Sequence, residues 1–202
     1  MKSLIVNGGI NMSKRIVSVI VSSVVAFVAI FLFGNMNGNT VKAATTATGK
    51  VLVVYYSNSG TTEDAAKKIQ KQTGGDLVKL RMSPNYPSNY DKLTKVSKRQ
   101  IDKNIHPEIL NKINMKKYKT ILLGFPTWYQ RPPMFINTFF DKYDLKGKTV
   151  VPFSTSMSSP MSVNRPYLKK MVQGKGINLQ SGFRANSSKS INKYLKKNNL
   201  IK

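Results

Sequence analysis

The chain contains no cysteine, one tryptophan, one histidine and only eight acidic residues among 202. Each scarcity removes a class of function. Without cysteine there is no disulfide, no thiolate metal site and no lipoprotein anchor. The eight carboxylates are scattered, so neither a metal cluster nor a paired-acid site is visible. The lone histidine, His106, precedes Pro107 in a polar segment and reads as an exposed loop residue. No catalytic triad or acid–base pair can be picked out, so no catalytic residue and no metal ligand is assigned. Against the eight acids stand 33 basic residues, a formal net charge of +25. That surplus predicts adhesion to polyanions: anionic lipid, phosphate-rich wall polymers, or nucleic acid without sequence preference. The cations occur in nearly every segment rather than in the confined patch of a nucleic-acid reader. No specific nucleic-acid partner is therefore expected, and the surface suits the cell envelope.

What the chain does have begins with a leader. The basic stretch "NMSKR" (11–15) precedes 19 nearly unbroken apolar residues, "IVSVIVSSVVAFVAIFLFG" (16–34), and then "VKAATTATGK" (41–50). A positive segment, an apolar segment and the small-residue pattern Val41-x-Ala43 describe a secretory signal over 1–43, cleaved after Ala43. Nineteen apolar residues also nearly span a bilayer, so an uncleaved anchor is the competing reading. Both put the remainder outside the cytoplasm, secreted or held at the membrane or wall. Removing 1–43 takes away four basic residues and no acidic one, so the charge falls from +25 to +21. Residues 44–49 read as a linker. The domain over 50–202 is long enough to hold itself by its core without disulfides.

From Lys50 onward, strand and helix alternate. "KVLVVYY" (50–56), "DLVKL" (76–80), "KTILLGF" (119–125), "GKTVVPFS" (147–154) and "INLQSGF" (177–183) read as five buried strands. Helices are expected after the first turn, with Glu63 and Asp64 at its start and Gly74-Gly75 at its end, and over 94–104, 132–143, "RPYLKKMVQ" and "SKSINKYLKKN". Between strand two and the next helix, Pro84 and Pro87 argue against any regular element. This succession implies an α/β three-layer sandwich with a parallel sheet covered on both faces. Five βα units in about 150 residues suit the order 2-1-3-4-5 better than a six-stranded dinucleotide fold.

In such sheets ligands bind outside the carboxyl ends of the strands. Three turns lie there. The first, Ser57-Asn58-Ser59-Gly60-Thr61-Thr62, offers four hydroxyls, an amide and approachable N–H groups at a helix N-terminus. It carries neither a triphosphate loop nor a dinucleotide glycine pattern, so it suits one terminal phosphate bound without lysine. The second, "PTWYQRPP", places Pro126, Thr127, Trp128 and Tyr129 between prolines, a stiff surface on which a planar ring can stack. The third, Ser154-Thr155-Ser156-Met157-Ser158-Ser159, is again hydroxyl-rich. A phosphate turn, an aromatic shelf and a polar turn at one edge suit a ligand with a phosphate tail and a large heteroaromatic ring, a description that FMN satisfies.

These residues also carry a resemblance. "VVYYSNSGTTEDAAKKI" is similar to the phosphate-loop signature of the flavodoxin family. "ILLGFPTWYQRPPMFINTFFDKYDLKGKTVVPFSTS" resembles the second signature of its single-domain bacterial members, and "YPSNYDKL" and "IHPEI" resemble their irregular segment. The resemblance implies a flavodoxin-like sandwich, FMN phosphate on 57–62, the isoalloxazine ring against 126–129 and its polar edge at 154–159. Two departures stand out. Met157, Ser158, Ser159 and Pro160 replace the glycines usual in that third turn, and the domain is basic where many flavodoxins are acidic.

Two functions follow as expectations. One is an FMN-binding redox protein of the envelope, passing electrons or reducing a quinone or similar acceptor, with an acidic partner. The other is a flavin-free domain that uses its charge to bind cell-wall polymer or another anionic surface.

Overall fold

A computed structural model describes residues 50–201. The leader expected over 1–43 and the linker over 44–49 lie outside the described residues. Five strands form the parallel sheet: β1 (Lys50–Tyr55), β2 (Asp76–Lys79), β5 (Tyr118–Pro126), β6 (Thr149–Thr155) and an edge made of two pieces, β7 (Asn178–Leu179) and β8 (Phe183–Arg184). Their order is β2-β1-β5-β6, with β7 and β8 both paired parallel to β6. This is the 2-1-3-4-5 arrangement expected from the sequence.

Alternation along the strands sends side chains to two cores. Leu52, Val54, Ile121, Leu123 and Phe125 face one side, where they meet Phe135, Ile136 and Phe139 of α3 (Phe135–Lys142), Leu168 of α4 (Arg165–Val172) and Leu93 of α2 (Tyr90–Asp102). Val53, Tyr55, Leu122, Val151 and Phe153 face the other, against Ala65, Ala66 and Ile69 of α1 (Thr61–Thr73) and Ile191 and Leu195 of α5 (Ser188–Lys197). A two-residue period with both faces buried is the pattern of a parallel sheet between helices. Each fully buried aliphatic or phenyl side chain contributes about 1.5–3 kcal/mol relative to exposure.

The structure departs from the sequence reading at three places. The fifth strand is interrupted rather than continuous over 177–183. N–H and C=O of one strand residue point to the same side, and Val150 and Ser154 use that side to bind the edge through Gln180 and Ala185. Pro152 lies between them on the same side and has no N–H to donate. Gly182 passes there with φ +70°, where a Cβ would run into the Pro152 carbonyl. Next, the stretch around Pro84 contains a short strand after all: β3 (Met82–Ser83) pairs antiparallel with β4 (Glu108–Ile109). Finally, α2 begins at Tyr90 instead of Thr94, because the Asn89 side chain accepts from the Lys92 N–H at 3.0 Å and caps it there. Among the described residues no helix is long and apolar enough to cross a membrane.

Candidate functional site

The three turns enclose one cleft of about 630 Å³ at the carboxyl edge of the sheet. The first turn contributes Asn58, Ser59, Thr61 and Thr62; the second Pro126, Thr127, Trp128 and Tyr129; the third Thr155, Ser156 and Met157. Not one lining residue is charged, although the chain carries +25.

The first turn is built around Gly60, which stands at the N-cap of α1 with φ +93°, a conformation open to glycine. Having no side chain, Gly60 leaves the first-turn N–H groups of α1 without the side-chain cap that serines and aspartates normally supply. The positive end of the helix dipole adds to these open donors. Ser57 is buried inside the turn, where its hydroxyl accepts the Gly60 N–H at 3.1 Å, so it shapes the loop rather than lining the cleft. Asn58 is fixed from both ends: Oδ1 accepts from the Tyr56 hydroxyl at 2.9 Å, and Nδ2 donates to the Pro87 carbonyl at 3.1 Å. Burial pushes the Tyr56 hydroxyl up to about 12, which keeps it a neutral donor. Glu63, in the first turn of α1, is matched by Lys67 and Lys79, each at 2.8 Å. Hydrogen bonds from Lys67 and Lys79 hold its carboxyl at about 2. Its charge is thus met by two cations beside a helix start that favours anions.

The second turn is a two-residue reversal. Trp128 and Arg131 exchange both backbone hydrogen bonds, at 3.1 and 3.0 Å, and Tyr129 and Gln130 between them have φ of 49° and 54°. Trp128 is half-buried, with its ring edge-on to Tyr86 at 5.0 Å and to Tyr56 at 6.2 Å. These two tyrosines, packed on Phe135, make an aromatic floor that orients the indole. The Tyr129 hydroxyl donates to the Thr94 carbonyl at 3.1 Å and so links this turn to α2.

The third turn leaves β6 with Ser154 fully buried on the strand, away from the cleft wall. Thr155 is buried too, and its hydroxyl lies 2.7 Å from that of Thr62. The Met157 side chain is 97 % exposed, so it stands out at the rim instead of filling the cleft. Ser158, Ser159 and Pro160 stand outside the lining; the Ser159 carbonyl accepts from the Ser156 hydroxyl at 2.5 Å.

Sequence reasoning missed one wall. Ser88 and, on α2, Tyr90, Leu93, Thr94 and Ser97 close the cleft opposite the sheet edge, and Asn186 closes it beyond β8. Asn186 follows the fifth strand, so the carboxyl-edge rule already pointed to it. The Ser97 hydroxyl is buried without a partner among the described residues, an open polar group on the helix that forms this wall. His106, by contrast, is exposed and near Asn104 Oδ1 at 3.2 Å.

The flavodoxin family model matches residues 50–199. A flavodoxin of Haemophilus influenzae is 35% identical over 75 residues, 37% of this chain and 29% of that protein. The matched segment therefore spans less than a third of that relative's length. A crystal structure from Bacteroides eggerthii is 34% identical with a TM-score of 0.66, covering 73% of this chain and 96% of that one. A flavoprotein of Lactobacillus acidophilus, solved in complex with FMN, is 26% identical with a TM-score of 0.63, covering 72% and 98%.

Proposed function

The chain belongs to the flavodoxin family, and from that premise we propose that its cleft holds FMN and that the protein is an electron-transferring flavoprotein of the bacterial cell envelope. The observation that carries this is the uncapped start of α1 opening onto a neutral cleft of hydroxyls and aromatics. The residues present fit the group. The Ser59 and Thr61 hydroxyls and the open N–H groups at the start of α1, that of Thr62 among them, would hold the phosphate by hydrogen bonds alone. Trp128 and Tyr129 would bound the ring, and the partnerless Ser97 hydroxyl supplies a further polar contact on the α2 wall. Bound FMN supplies reversible electron transfer; the protein's part is to seat it, orient it and set its field.

A quinone or a similar planar acceptor fits the exposed rim of Tyr90, Tyr129 and Met157, and an acidic protein partner fits the charge, with strong salt dependence. Net positive charge favours the more negative, reduced form and so raises the potential above that of acidic relatives. A redox titration giving a midpoint as low as theirs sets that aside. The leader, read as a signal or anchor, supports the envelope placement; fractionation of the native host, with the chain in the cytoplasm, would overturn it.

FMN binding is tested by titrating the purified protein into micromolar FMN. The expected result is quenching of flavin fluorescence; its absence removes the redox reading. A second reading, adhesion to an anionic wall polymer, draws on a separate observation. Lys50, Lys116, Lys117, Lys119, Lys146 and Lys148 stand at the starts of β1, β5 and β6, at the end of the sheet opposite the cleft. Retention on isolated cell wall without quenching of FMN, lost when these lysines are neutralised in a chain that still folds, is the outcome this reading requires.

A further inference from the structure

The third turn has no glycine between Ser154 and Pro160, yet every carbonyl from 156 to 159 is held. Arg184, on β8, donates from Nη2 to the Ser156 carbonyl at 3.0 Å and the Met157 carbonyl at 2.6 Å, and reaches the Ser158 carbonyl from Nη1 at 3.5 Å. Asn186 donates from Nδ2 to the Ser156 carbonyl at 2.6 Å and accepts the Ser156 N–H at 3.2 Å. The Ser156 hydroxyl holds the Ser159 carbonyl.

This pattern fixes where the donors point. In a trans peptide the C=O of one residue and the N–H of the next lie in one plane and point in opposite directions. Three successive carbonyls that converge on one guanidinium therefore turn the N–H groups of Met157, Ser158 and Ser159 away from it. None of these three has a partner among the described residues. Ser156, Met157 and Asn186 line the cleft, whereas Ser158 and Ser159 do not. Of the three N–H groups, only that of Met157 belongs to a residue that lines the cleft.

We propose that Arg184 and Asn186 are positioning residues that hold the third turn, with the free Met157 N–H, as the wall of the cleft at the ring end of the flavin. The clamp fixes by hydrogen bonding a turn that contains no glycine. Arg184 also sets a fixed positive charge behind the turn. The inference rests on the FMN reading above.

The test uses the full chain and two probes, FMN and riboflavin, which lacks the phosphate. Arg184→Gln is expected to weaken both by the same factor, about tenfold, as lost charged hydrogen bonds at the ring end require. It should also lower the midpoint potential of bound flavin, because a positive charge near the ring is gone. Arg184→Lys keeps that charge but not the fork, so it should hold the potential near wild type while recovering only part of the affinity. Should Arg184→Gln fail to fold, the lysine variant alone decides: wild-type affinity overturns the proposal, and weakened binding at an unchanged potential supports it. Unchanged affinity and potential in a folded Arg184→Gln overturn it, as does a loss for FMN with none for riboflavin. No quenching by the wild-type chain overturns the FMN reading and this inference together; tight binding by wild type and Arg184→Gln alike overturns this inference alone.

Discussion

Thr62 and Thr155, 93 residues apart in sequence, share a buried hydroxyl–hydroxyl hydrogen bond of 2.7 Å that ties the first turn of the cleft to the third. Both side chains are all but inaccessible, at 2% and 4% exposure. Replacing one by valine leaves the other hydroxyl buried without a partner, at a cost of about 1–3 kcal/mol. Replacing both removes donor and acceptor together, so the double variant should be close to wild type in urea denaturation. A double variant as unstable as the two singles combined would show that the pair is not coupled.

Trp128 serves two ends at once, because its edges rest on Tyr56 and Tyr86 while it lines the cleft. Trp128→Ala should weaken FMN by about tenfold or more, the loss expected for a ring contact worth over 1 kcal/mol. It should also lower stability by about 2 kcal/mol, less than for a fully buried tryptophan because the residue is only half-buried. Trp128→Phe, which keeps a ring over the tyrosine floor, should restore most of the stability. Fluorescence quenching and urea unfolding read the two effects separately. Unchanged FMN affinity in the alanine variant would take the indole out of the site.

The sheet order and the carboxyl-edge turns could be read from local sequence, since strand runs such as "ILLGF" and the hydroxyl-rich "SNSGTT" announce themselves within a few residues. The α2 wall could not. Where Ser88, Tyr90 and Ser97 come to lie is decided by contacts across the fold: Asn58 Nδ2 on the Pro87 carbonyl, Tyr86 against Tyr56, and the Tyr86 hydroxyl on Gln100 at 2.7 Å. Nor does the spacing of Arg184 from Ser156 carry any local signal, because the two meet only through the pairing of β8 with β6. The break in the edge strand was legible in part. Pro152 was visible as a residue without a donor, but which neighbour its missing N–H faces depends on the register.

Glu63 makes the acid limb of stability partly predictable. Hydrogen bonds from Lys67 and Lys79 lower its carboxyl from 4.5 to about 2 in the folded chain. A depressed carboxylate contributes stability that is fully present above its unfolded value and lost as pH falls through its folded one. The window here runs from about pH 4.5 down to about pH 2. Exposed pairs of this kind are weak, so Glu63→Gln should lower the melting temperature at pH 7 by only about 1–3 °C. That difference should shrink toward zero by the bottom of the window and also in high salt. A difference that stays constant from pH 7 to pH 2 would rule out the carboxylate as its source.

Gly124 is where the centre of the sheet tolerates no side chain. It pairs with Phe153 across β5 and β6, and a Cβ built there would overlap the Cζ and Cε atoms of the phenyl ring. Phe153 is fully buried and has no room to withdraw. Behind it Phe183 lies at 6.1 Å, and behind that Tyr194 of α5 stacks at 4.3 Å. Gly124→Ala should therefore destabilise by about 3 kcal/mol, the upper range for overpacking a filled core. Adding Phe153→Leu, which removes the ring atoms in conflict, should recover part of that loss, even though Phe153→Leu alone is destabilising. Urea denaturation of the four chains measures this directly: a favourable coupling identifies the steric conflict, and simple additivity would place the cost of the alanine elsewhere in the strand.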